Sequence, residues 1–114
     1  MIKVILVIRE LNKHKPASYL SFDVPELPRV GDYVSIFRGE GAVGSEDVVV
    51  RHVWWHLRHS NDGSGVGNVR DIMVECDAAI GPYATETWRG TTDAAKAEGA
   101  YIAQFRVSRN VFSE

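Results

Sequence analysis

The chain has 114 residues, 45% hydrophobic and 25% charged, with a formal net charge of −2. That length holds one domain with a core large enough to fold without disulfides or a structural metal, and the composition excludes wholesale disorder. The slight acidity excludes a protein whose whole surface tracks phosphates, because such binding neutralises many charges with Lys and Arg. A local basic patch stays open. Cys76 is the single cysteine, so no disulfide forms within the chain, and a reducing cytoplasm is the compartment that fits.

Ile2, Val4, Leu6 and Ile8 alternate with Lys3, Ile5, Val7 and Arg9, the pattern of a β-branched strand buried on one face and partly covered on the other. The run is too short to cross a bilayer, contains Lys3 and meets Arg9-Glu10 with no small-residue cleavage pattern. It reads as a buried strand and not as a signal or membrane anchor. Asn12 to Pro16 is a charged turn, and Tyr19, Leu20 and Phe22 beyond it predict a second strand in a hairpin with the first. Pro25 and Pro28 then stop regular pairing, since neither has a backbone donor.

In the segment from Val24 to Ile36, Pro28 fixes φ, Gly31 suits a turn conformation closed to other residues, and Asp32 can satisfy turn amides as a strand starts at Tyr33. Pro28-Arg29-Val30-Gly31-Asp32 followed by an alternating apolar strand resembles the strand starts of small SH3-like β-barrels. Over Leu27 to Leu57 the chain resembles small, mostly uncharacterised bacterial and phage barrel proteins. The resemblance implies an architecture and carries over no functional residue.

Gly39, Gly41 and Gly44 make residues 38–47 a loop leading into a strand from Val48 to Leu57, which is expected to form a long hairpin with Tyr33 to Phe37. His59 to Asn68 is a second glycine-rich loop, and Val69 to Cys76 is the returning strand. In that strand the lone thiol of Cys76 reads as an inert small hydrophobe. Gly63-Ser64-Gly65-Val66-Gly67 lacks the Gly-Lys-Ser/Thr and the following helix of a phosphate-binding loop. Glu86, Trp88 and Arg89, after Gly81-Pro82-Tyr83, read as a solvated loop. From Thr91 the character changes: Thr91 or Thr92 as cap, Asp93 at the positive end and Ala94 to Phe105 predict a helix, with Tyr101, Ile102 and Phe105 as its packing stripe. Arg106 to Phe112 reads as a last short strand or an arm onto another subunit. The fold class is mainly β (β or α+β): a strongly bent antiparallel sheet or SH3-like barrel of five or six strands in a single domain, with one helix near the C-terminus.

Arg51-His52-Val53-Trp54-Trp55-His56-Leu57-Arg58-His59 is the richest stretch, with two of the three tryptophans and three of the four histidines. On a strand, Val53, Trp55 and Leu57 point one way and His52, Trp54, His56 and Arg58 the other. His52 and His56 would share a face about 13 Å apart at ~3.3 Å per residue, too far to hold one metal ion together, so a metal centre would need ligands such as His14, Asp62 or Glu75. Arg51, His52, Trp54, His56 and Arg58 could stack bases and contact phosphates. Tryptophans are also common core or subunit-interface anchors. These residues point first to a non-enzymatic binding or structural module that self-associates into a homo-oligomer through the Trp54 face or the C-terminal tail. The alternatives are a nucleic-acid-binding barrel using the same strand and a metal-dependent enzyme using its histidines. No cofactor and no membrane partner is implied, and no small-molecule ligand is specified.

Overall fold

A computed structural model describes residues 1–9, 11, 17–61 and 63–105. Strands β1 (Ile2–Ile8), β2 (Ser18–Val24), β3 (Tyr33–Ile36), β4 (Glu46–His59) and β5 (Gly67–Ile80) are followed by one helix, α1 (Glu86–Ala97), and a short strand, β6 (Ala103–Gln104). They form one strongly curled half-barrel sheet in the order β2-β1-β5-β4-β3, with β6 on β5. The mainly-β class with one helix near the C-terminus is therefore borne out. The sheet is mixed rather than antiparallel throughout: β1 and β6 both run parallel to β5. The turn Asn12 to Pro16 and the tail Arg106 to Phe112 fall outside the described residues.

The apolar alternation explains the core. Val4, Leu6 and Ile8 of β1 meet Val48 and Val50 of β4 and Ile72, Val74 and Cys76 of β5, with Leu20, Phe22, Val34 and Val53 packed around them. Along β4 the inward positions change phase. Val48 and Val50 pair with Ala78 and Cys76, whereas Val53 and Trp55 pair with Val74 and Ile72, because the register shifts between Val50 and His52. A bulge adds one residue to one strand and re-aims the side chains beyond it, which here keeps apolar side chains inward while the outer face changes character.

The Pro28–Asp32 turn limits how far β3 covers β4. Gly31 sits at φ 95, open only to glycine at low cost, and its amide donates to the Val50 carbonyl at 2.8 Å while the Val50 amide donates to the Asp32 carbonyl at 2.8 Å. β3 pairs with Glu46 to Val49 alone. At the same end of the sheet, buried Asp47 accepts from Ser35 Oγ at 2.6 Å, Ser45 Oγ at 2.7 Å and the Gly81 amide at 2.8 Å, tying β3, β4 and the end of β5 to one carboxylate.

The helix is displaced from its expected place. It starts at Glu86 with Thr85 as cap, whose hydroxyl accepts from the Trp88 amide at 3.0 Å, and neither Thr91 nor Thr92 caps it. Their hydroxyls instead donate back to the Thr87 and Trp88 carbonyls. Glu86, Trp88 and Arg89 are helical, not a solvated loop, and Trp88 is 3% exposed, its indole donating to the Ala79 carbonyl at 2.8 Å. Tyr101, Ile102 and Phe105 lie beyond the helix. Phe105 stacks on Tyr33, ring centroids 5.1 Å apart. Gly90 in the middle of α1, with its threonines, weakens the helix signal, whereas docking of Trp88 on the sheet supplies what propensity does not. β5 outruns the expected Cys76 end although Ala78 and Ala79 are poor strand formers, because Ala78 pairs with Val48 of β4 and Ala79 and Ile80 pair with β6.

Replacing Asp47 by Ala leaves the buried Gly81 amide and Ser45 hydroxyl without their acceptor, each such orphan costing about 1–3 kcal/mol. The expected outcome is a loss of roughly 3 kcal/mol in denaturant unfolding, with an unchanged slope of free energy against denaturant.

Candidate functional site

β4 and β5 are 14 residues each, and the rest of the sheet covers only part of them. Pairing with β3 ends at Val49 and pairing with β1 begins at Met73. Residues 52–59 of β4 and 67–72 of β5 therefore pair only with each other among the described residues, as a two-stranded arm about 25 Å long at ~3.3 Å per residue. The arm stretches the molecule to 57 × 43 × 27 Å and its radius of gyration to 17.1 Å; a compact domain of this length would have about 13 Å.

The two faces separate as the sequence indicates. Val53, Trp55 and Leu57 lie with Val69 and Ile72 on the inner side, continuing the core, yet Trp55 and Leu57 are 48% and 70% exposed. Opposite Met73 on the outer side is Trp54, 59% exposed, with its ring 5.3 Å from that of His56. His56 Nδ1 meets Asp71 Oδ1 at 2.5 Å across the strands, and His52 lies opposite Glu75. His52, Trp54 and His56 are thus brought together, but Arg51 and Arg58 do not join them. Arg51 sits at the root of the arm and donates to Asp77 at 2.9 Å, within a network in which Arg9 reaches Glu75 at 3.5 Å and Asp77 at 3.6 Å. Arg58 is exposed near the tip, opposite Asn68.

Among the described residues no three His, Cys, Asp or Glu side chains gather as a metal-ligand set. His14 and Asp62, the further ligands a metal centre would call on, lie outside the described residues. Where β1 diverges from β5, a cleft of about 550 Å³ opens between Ile2, Ile5, Trp55, Val69 and Ile72, with Lys3, Arg70 and Asp71 at its rim. The β5 half of the arm was not legible as part of the site, because Val69-Arg70-Asp71-Ile72 gains its meaning only from the register that sets it against Trp55 and His56. A second register shift, between His56 and Leu57, makes room for Arg70.

Cys76 lies in the core, fully buried, and burial pushes its thiol up to about 12, with the carboxylates of Asp77 and Glu75 adding to the shift. Comparison of the chain with family models, with curated proteins and with solved structures found no match.

At pH 8 the native thiol is expected to resist a thiolate-directed reagent such as Ellman's and to react at once on unfolding. Because the raised value disfavours the native thiolate, Cys76 adds to stability that is full below the ordinary thiol value of 9.0 and is lost as pH climbs from there through about 12. Fast labelling of the folded protein at pH 8 would contradict the buried placement.

Proposed function

We propose that this protein is a non-enzymatic β-sheet module that works by self-association, with the β4–β5 arm as its interface. The observation that carries the reading is the exposure of Trp54, Trp55 and Leu57 on a ribbon with no third strand among the described residues. An isolated two-stranded hairpin is marginal in water, and stability ordinarily requires a further strand or a packed face. A long apolar strand edge left open is also a template for another chain. Both requirements are met if a partner covers the arm.

Charge bears on the nucleic-acid alternative. Residues 51–70 hold three arginines against one aspartate, a net of +2 that leaves −4 on the rest of a chain whose total is −2. Three carboxylates, Asp71, Glu75 and Asp77, share the outer face with Trp54 and pair with the basic groups there. A run of phosphates would meet those acids as well as the arginines, which weighs against nucleic acid at this face.

Native mass spectrometry of protein purified without added metal or chelator tests the reading. A closed oligomer of integer chain mass is expected, and Leu57→Asp should weaken it by at least about tenfold, the scale of a buried anchor residue. A monomer at high micromolar concentration, or mass added by an oligonucleotide or a metal ion, would overturn it.

A further inference from the structure

The open edge of β4 has a chemical symmetry about Trp55. Stepping outward, Trp54 and His56 carry rings, Val53 and Leu57 are aliphatic, and His52 and Arg58 are basic. A strand that reads alike in both directions matches itself when a second copy is laid antiparallel across a two-fold axis, the isologous contact in which residue i meets j and j meets i. Resting on the self-association reading, we infer that two copies join edge to edge through residues 52–58 of β4, with Trp55 on the two-fold axis, so that two half-barrel sheets become one continuous sheet.

The side chains select the register. Facing residues in an antiparallel pair point to the same side, so a shift by one residue would set the apolar inner positions against the outer ones. With Trp55 opposite its counterpart, all three inner positions are matched: Val53 to Leu57, Trp55 to Trp55 and Leu57 to Val53. Centring the axis on Trp54 instead would put Leu57 against Arg51, and centring it on His56 would put Val53 against His59. On the outer side the Trp55 register sets Trp54 against His56, extending the ring contact already present within one chain.

The edge has the right length. At one end the Pro28–Asp32 turn is seated on Val50 and the bulge turns Arg51 outward, and at the other β4 stops at His59, which leaves seven regularly alternating residues, His52 to Arg58, that pair in this register without meeting either obstacle. The basic ends are tempered within each chain, Arg51 by Asp77 and His52 by its position opposite Glu75. An aromatic side chain covers about 150–250 Å². Four half-exposed tryptophans, two leucines and the flanking backbone therefore amount to on the order of 1,000 Å² in total, the level at which specific contacts begin.

Cysteine pairing tests the register. Opposed residues of an antiparallel pair have Cα atoms about 4.5–5.5 Å apart, within disulfide reach, and buried Cys76 stays silent. A mixture of Val53→Cys and Leu57→Cys proteins, both retaining Trp55, should oxidise to a covalent dimer in several-fold higher yield than either alone, and Trp55→Cys should cross-link by itself. If Leu57→Cys alone cross-links as well as the mixture, the register is wrong. If the wild-type protein is oligomeric by mass but none of the three positions cross-links, the two-fold edge contact is overturned while self-association stands. A monomeric wild-type protein removes both.

Discussion

The structure hangs on one mismatch of length. β4 and β5 run together for 14 residues, while β1 and β3 hold only part of their outer edges, so one end of the pair lies in the body and the other leaves it. At the body end the sheet is three-dimensional in the ordinary sense. The half-barrel closes on its valines, Asp47 gathers β3, β4 and the end of β5, and Trp88 fastens the helix to Ala79. At the far end only a ribbon remains. Ladder hydrogen bonds alone contribute little net free energy in water, where each replaces a bond to solvent, and beyond Val53 and Ile72 the ribbon's apolar side chains, Trp54, Trp55, Leu57 and Val69, are left exposed.

Two irregularities let one strand pair serve both regions. The shift at Val50/His52 keeps Val50 and Val53 both inward and turns Arg51 outward to Asp77, so the network of Arg9, Arg51, Glu75 and Asp77 forms where body becomes arm. These are half-exposed pairs, individually worth about 1 kcal/mol or less, and their role is to occupy charge. The result is an outer surface whose cations are matched by carboxylates up to the level of Asp71, beyond which Arg58 and the aromatic edge stand open.

Much of this was legible in the sequence. Period-two alternation marked β1, β3 and β4, and the Pro28–Asp32 turn fixed where β3 begins, because local backbone chemistry decides such features. The division of Arg51–His59 into an apolar and a polar face was also readable. The helix was not, because Gly90 and its threonines lower its intrinsic preference while Ala94 to Phe105 mimics a better one; a tertiary contact, Trp88 on the sheet, decided the matter. Likewise the role of Arg51 depends on Asp77, 26 residues away in sequence, and that of His56 on Asp71, 15 away. Pairing across strands is set by register, which a single chain of letters does not display.

The most direct measurement is amide hydrogen exchange along residues 52–58 as a function of protein concentration. In a lone arm, alternate amides of β4 face solvent and exchange freely, whereas an edge paired with a second copy protects them. Edge pairing requires slow exchange across the segment at high concentration, and fast exchange at alternate positions on dilution below the association midpoint, with the core amides of β1 and β5 unaffected. Fast exchange at alternate positions at every concentration would contradict it.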